Sequence, residues 1–248
     1  MQLGLIGAGN MASALARGIG EPVVVADLDP QKAERLAAAC GGRAVETNAE
    51  VAEQSDVVLL CHKPAQLDEV AAEVAPRASA VASVLAGVKV AQLEAAYPDR
   101  PVHRFIPNLP VEFGVGVLCY ATGRWTPDEA LLELLGRAGL VAPVEEAEIE
   151  PAMAVMSCGP AFFALVVEAL AQAADRHGLD EELGKQLVVE TMAGTATWLR
   201  SYDFDTAQLR RRVATPGGLT ERGLNTLERE GLPRALGAAV DEVVEAVR

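Results

Sequence analysis

An apolar run that feeds straight into two glycines and a helix constrains this chain more than any other feature. Residues 3–15 read LGLIGAGNMASAL. Leu3–Ile6 is a short strand-like run, and Gly7-Ala8-Gly9-Asn10-Met11-Ala12 is the pattern G-x-G-x-x-A. Ala12, Leu15, Ala16 and Ile19 then mark the inner face of a helix. Gly7 permits the tight turn, Gly9 lets a pyrophosphate approach backbone N–H groups, and Ala12 lets the helix lie close on the strand. The helix N-terminus faces the anion. A second apolar run, Val23–Asp27, ends in an acid twenty residues after Gly7, placed to accept hydrogen bonds from a ribose 2′-hydroxyl. The pattern predicts a dinucleotide-binding Rossmann half, with Gly7, Ala8, Gly9, Asn10, Met11 and Asp27 at the cofactor. A 2′-phosphate would meet the Asp27 carboxylate, and Leu28-Asp29-Pro30 bring no arginine to offset it. NADH is therefore favoured over NADPH, although Lys32 and Arg35 lie near enough in sequence to swing in.

The same grammar continues to about residue 148. Further strand-like runs fall at Val57–Leu60, Val81–Leu85, Val102–Ile106, Gly116–Tyr120 and Val141–Val144. Helical patterns intervene at Met11–Gly18, Pro30–Ala39, Ala65–Val74 and Val90–Tyr97. Strands alternating with helices predict an α/β domain with a mostly parallel sheet. Beyond Glu148 the strand signals vanish. Phe162, Leu165, Val166, Ala169, Leu170 and Ala173 form one apolar helical stripe, and the HGLD at 177–180 ends one helix and begins another. Further helices are expected to about Tyr202 and over Thr206–Val213, Pro216–Glu230 and Pro233–Val247. The expected division is residues 1–148, Rossmann, and 149–248, all-helical. The Ala-rich faces of the second part suit either a homodimer or a bundle closed on itself.

Composition narrows the function classes. A net charge of −14 over 248 residues argues against an electrostatic hold on nucleic acid or an anionic membrane. Cys40, Cys61, Cys119 and Cys158 are far apart and make no CxxC or Cys/His metal spacing, so they read as reduced thiols in a cytoplasmic protein. No metal site is expected. The N-terminus lacks the pattern of a signal peptide, and no uninterrupted apolar run approaches a membrane span.

Three further stretches carry chemistry. VVLLCHKPAQ (57–66) runs a strand into Cys61-His62-Lys63-Pro64, at the strand end where open parallel sheets gather ligands. There His62, Lys63 and Pro64 can line the cofactor or substrate. HRFIPNLP (103–110) ends another strand, with Asn108 able to hydrogen-bond near the nicotinamide. VATPGGLTERGL (213–224) has Thr215 as an N-cap and Pro216 at the first helical position, with Gly217 and Gly218 in the first turn. Bare amides there would receive a small carboxylate, and Thr220 would offer a hydroxyl to the rest of the ligand. A dinucleotide site and a carboxylate cradle together describe hydride transfer to a small acid.

On GLIGAGNMASAL (4–15), HKPAQ (62–66), HRFIPNLPVEFGVG (103–116), GPAFFALVVEALAQAADRHGL (159–179) and VATPGGLTERGLNTLEREGL (213–232), the chain resembles the pyrroline-5-carboxylate reductases. The resemblance implies reduction of Δ1-pyrroline-5-carboxylate to L-proline, with NADH or NADPH as cofactor. It implies a Rossmann domain, a helical dimerisation domain and an active site at the dimer interface. The substrate carboxylate would sit on the turn matching Thr215–Gly218, the ring nitrogen at Thr220, and Lys63 would match the lysine of the family's V-K-P-Q stretch. The chain departs from the family at Met156-Ser157-Cys158-Gly159-Pro160-Ala161-Phe162, where S-G-S-G-P-A-Y is usual. It also has His62 for valine, Ile106 for methionine and Leu219 for threonine. Two other readings stay open: a reductase of a related cyclic or amino-acid-derived imine, and a non-catalytic dinucleotide sensor.

Overall fold

Uninterrupted runs of Val, Leu and Ile build the centre of the sheet, as expected for parallel strands covered on both faces. The computed structural model describes residues 1–247. Its strands are β1 (Leu3–Ile6), β2 (Val23–Ala26), β3 (Arg43–Ala44), β4 (Val57–Leu60), β5 (Val81–Ser83), β6 (Val102–Pro107), β7 (Gly116–Thr122) and β8 (Gly139–Pro143). They form one sheet in the order β3-β2-β1-β4-β5-β6-β7-β8, parallel throughout except between β6 and β7. Every residue of β1, β2 and β4 is buried.

Alternate residues serve opposite faces. Leu3, Leu5, Val23, Val25, Val57 and Leu59 pack with residues of α1 (Asn10–Ile19), α2 (Pro30–Cys40) and, further along, α6 (Glu129–Gly136). Ile6, Val24, Ala26, Val58 and Leu60 pack on the other face, with residues of α3 (Asn48–Glu53), α4 (Leu67–Val74) and α5 (Val90–Ala96). A further helix, α7 (Ile149–Met156), packs where Ile149 joins Val90, Ile106 and Ala121. The first compact unit accordingly runs Met1–Pro160 and the second Ala161–Ala246.

Strand and helix positions follow the sequence pattern closely, with three omissions. β3 is two residues long, too short to show a period. α3 is opened by a capping box in which Thr47 and Glu50 bond each other's backbone, a T-x-x-E signal present in the sequence. α6 is capped by Asp128, whose side chain accepts from Ala130 N. One boundary also moves: Pro64–Gln66 forms a 3-10 turn, and α4 begins only at Leu67.

The second unit holds the rest of α8 (Gly159–Asp175), then α9 (Glu181–Ser201), α10 (Thr206–Val213), α11 (Leu219–Arg229) and α12 (Leu232–Ala246). Only Ala171 and Gly184 are fully buried in it. A Cβ on Gly184 would sit 3.3 Å from Ala171, so these helices cross on small residues. Phe163, Leu165, Leu170, Leu187, Val189 and Leu236 are exposed. A bundle closed on itself would bury such a set, so that alternative fails. The helical stretch Glu146–Asp175 is also long and apolar enough to cross a membrane by length and composition, contrary to the expectation from uninterrupted runs. Little of that apolar window is buried.

Candidate active site

The order of strands reverses at β1, whose neighbours are β2 and β4, and a crevice opens beyond the carboxyl ends at such a point. Gly7 has φ +98°, and a Cβ there would lie 2.8 Å from the Cys61 carbonyl. The ends of β1 and β4 are therefore too close for any side chain at this position. Gly9 precedes α1 with open space where a Cβ would be. Gly7 N donates to Ala26 O at 2.8 Å, and Ala8 N to Asp27 Oδ2 at 2.7 Å. The amides of Gly9, Asn10, Met11 and Ala12 find no acceptor among the described residues. Four free donors at a helix N-terminus, with room in front of them, fit a dinucleotide pyrophosphate.

Asp27 is held more firmly than the sequence implies. Its Oδ2 takes Ala8 N and its Oδ1 takes Asp29 N at 2.8 Å. The carboxylate thus ties the glycine loop to the end of β2 and retains lone pairs able to accept further hydrogen bonds.

At the end of β4, Cys61 N donates to Ile6 O at 2.8 Å. Burial pushes the Cys61 thiol up to about 12, which keeps it protonated and without nucleophilic use near neutrality. His62 Nδ1 lies 2.9 Å from Lys63 O. The carbonyl can only accept, so Nδ1 carries the proton. Burial lowers the His62 pKa, which favours the neutral ring. Lys63 is exposed, its backbone N–H donating to Gln66 Oε1 at 3.2 Å. Beside it a cleft of about 380 Å³ is lined by Pro64, Leu67, Asp68, Ala86, Gly87 and Val88. The loop after β5 thus borders this cleft, which no expectation from the sequence included. Its signal was the Ala86-Gly87 pair directly after a strand, and Gly87 has φ +74°.

Asn108 is a brace. Its Nδ2 donates to Met156 O at 3.0 Å, and its Oδ1 accepts from Val117 N at 2.8 Å. Ser157 Oγ donates to Pro107 O at 2.7 Å nearby. These bonds fasten the end of β6 to the end of α7, a structural use of Asn108 beyond the expected contact near the nicotinamide.

The 215–218 stretch differs from expectation in a specific way. The helix does not begin at Pro216: its N-cap is Gly218 and α11 starts at Leu219. Thr215–Gly218 is instead a tight turn closed by Gly218 N donating to Thr215 O at 2.9 Å. Proline at the second position and a glycine of φ +74° at the third match a type II turn. A Cβ on Gly218 would fall 2.4 Å from Thr215 Oγ1. Gly217 is thus required by its backbone angle and Gly218 by a close approach. The Gly217 amide donates to Glu221 Oε2 at 2.7 Å. Those of Leu219, Thr220 and Glu221 have no acceptor among the described residues, so the free donors lie one step further into the helix than the glycines. Thr220 is exposed beside them.

Comparison with known proteins agrees on both units. A family model for pyrroline-5-carboxylate reductase dimerisation matches residues 146–248, and one described as NADP oxidoreductase coenzyme F420-dependent matches residues 2–87. The chain is 33% identical to the pyrroline-5-carboxylate reductase of Synechocystis over 100% of its own length and 95% of that protein. It is 33% identical to that of Pseudomonas aeruginosa, covering 98% and 96% respectively. Among solved structures it is similar to a pyrroline-5-carboxylate reductase from Coxiella burnetii, with TM-score 0.90 and 28% identity over 99% and 96% of the two chains. A Plasmodium falciparum pyrroline carboxylate reductase with NADP bound gives TM-score 0.87 at 25% identity, covering 100% and 97%.

Proposed function

The chain belongs to the pyrroline-5-carboxylate reductase family, and from that membership we propose which of its residues carry the reaction. It is an NAD(P)H-dependent oxidoreductase acting on CH–NH, reducing Δ1-pyrroline-5-carboxylate to L-proline. The observation that carries the residue assignment is the pair of helix starts with unpaired amides, one after Gly9 and one after Gly218.

The bound dinucleotide supplies the hydride. The residues that hold it are Gly7, Ala8, Gly9, Asn10 and Met11 at the pyrophosphate, with Asp27 at the adenosine ribose and His62, Lys63 and Pro64 at the end of β4. NADH is the preferred form. A 2′-phosphate would be brought against the Asp27 carboxylate, whose position is fixed by Ala8 N and Asp29 N. Asn108 serves by holding the end of β6 against α7.

The 215–220 segment takes the imino acid. Its carboxylate accepts from the turn and first-turn amides, the dipole of α11 adding to the attraction. Thr220 orients the ring nitrogen. A protonated imine accepts hydride at carbon more readily than a neutral one, so the nitrogen takes its proton from water and no strong acid is demanded of the protein. Positioning the imine carbon and excluding water supply most of the acceleration. The chain is a homo-oligomer through its helical part, and we read the unit as a cytoplasmic homodimer. Functionally the division falls at residues 1–148 for the dinucleotide and 149–248 for substrate and dimerisation.

The test is the loss of nicotinamide absorbance when purified protein meets Δ1-pyrroline-5-carboxylate with NADH or NADPH. Turnover with kcat/KM higher for NADH is expected. Equal or better use of NADPH would overturn the cofactor assignment, and turnover unaffected by Gly218→Val would overturn the assignment of the turn.

A further inference from the structure

The carboxylate nearest the substrate turn belongs to the chain itself. Glu221 lies in the first turn of α11, and its Oε2 accepts from Gly217 N at 2.7 Å. The side chain is half-buried, and among the described residues it is in no ion pair with a lysine or arginine. The nearest arginine in sequence, Arg222, is exposed on the next position of the helix. An uncompensated anion therefore sits on the first amide of the cradle assigned above to an incoming anion.

We infer that Glu221 is an affinity-setting residue for the imino acid: it occupies the Gly217 amide in the free enzyme and is displaced by, or repels, the ligand carboxylate. The inference rests on the assignment of the 215–220 segment to that carboxylate. Two consequences follow from charge alone. Substrate and product carry the same carboxylate, so both bind more weakly than the bare amides would allow. Proline leaves the more readily for it, since the Glu221 oxygen returns to the donor the product vacates. A glutamine at 221 keeps the length and can still accept from Gly217 N with its amide oxygen, so that hydrogen bond is retained while the charge is gone.

The experiment is direct binding of proline to the full-length enzyme by calorimetry, with steady-state kinetics alongside, for wild type, Glu221→Gln and Glu221→Ala. Both variants are expected to bind proline about three- to tenfold more tightly, in keeping with loss of one charged competitor for a hydrogen bond. KM for the imine should fall together with the proline inhibition constant, and kcat should not rise. Unchanged or weaker proline binding in both variants would overturn the inference, since Glu221 would then merely support the turn. A Gly218→Val control separates the two levels. If Gly218→Val abolishes proline binding while the Glu221 variants match wild type, the turn is the carboxylate site and only the role of Glu221 is wrong. If Gly218→Val leaves binding intact, the site assignment itself falls, and the role of Glu221 with it.

Discussion

At Gly7 the sequence leaves no latitude. A methyl group there would approach the Cys61 carbonyl at 2.8 Å, on a backbone angle that L-residues rarely adopt. Gly7→Ala should therefore push the ends of β1 and β4 apart and weaken NADH binding by at least tenfold, as a fluorescence titration would show, with the fold retained. His103 sets a different kind of limit. It is buried in β6, Nδ1 lacks a partner, and burial lowers its pKa to about 4. An unfolded chain takes up this proton near pH 6.5. Between about pH 6.5 and 4 the unfolded state then binds more protons, and stability falls as pH falls. The cost is about 1–3 kcal/mol once pH reaches 4 and nothing above neutrality. Thermal melts from pH 7 to pH 4.5 should show the decline, and His103→Gln should flatten it. Single residues were also conspicuous in the sequence. Gly7, Gly9, Asp27 and the Gly217-Gly218 pair stood out because their types are unusual for their neighbourhoods. Asn108 read as a ligand contact because the type is polar and the loop rigid; nothing local announces that Met156 and Val117, distant in sequence, bind both ends of its amide.

Elements were legible wherever period and length agreed. β1 and β4 are read to the residue, since each is a short run rich in Leu, Val and Ile that begins directly after a polar residue, Gln2 or Asp56. β3 is not, because a two-residue strand is defined by its neighbour β2 and carries no pattern of its own. The start of α11 was misplaced for a related reason. Thr-Pro is good helix-opening grammar, but a tight turn uses the same residues, and only the φ of +74° at Gly217 decides between them. One inter-element tie was wholly invisible. Arg104, in β6 and almost fully buried, pairs with Glu146 at 2.8 Å and Glu150 at 3.3 Å. Glu146 Oε1 also accepts from Val90 N at 3.1 Å, so one carboxylate joins β6, α5 and the approach to α7. Removing it leaves the buried guanidinium with Glu150 alone at 3.3 Å and Val90 N without an acceptor, a loss of about 1–3 kcal/mol. Glu146→Ala should lower stability by that order in a urea titration, and Arg104→Met should cost at least as much, because it leaves the Glu146 and Glu150 carboxylates without their cation.

For the whole molecule, the helical unit is incomplete alone. A set of helices whose fully buried residues number only Ala171 and Gly184, with Phe163, Leu165, Leu187 and Val189 outside, is not a stable fold by itself. Stability must then depend on protomer concentration. Light scattering should give a mass at or above twice the 26.0 kDa of the chain, and the melting temperature should rise with concentration. Leu187→Glu should reduce assembly and lower the melting temperature together. The sequence showed the apolar stripes but not their covering, because a stripe buried within a bundle and one buried against a second copy have the same period. The proposed reaction depends on a carboxylate received by the backbone amides of residues 217 and 219–221 and a pyrophosphate received by those of residues 9–12. A crystal structure of the enzyme with NAD⁺ and proline measures both at once. The expected result is the proline carboxylate within hydrogen-bond distance of one or more of the amides at 217 and 219–221, its ring nitrogen facing Thr220 Oγ1, and the pyrophosphate on the amides at 9–12. Proline bound elsewhere, with those amides facing only water or Glu221, would contradict it.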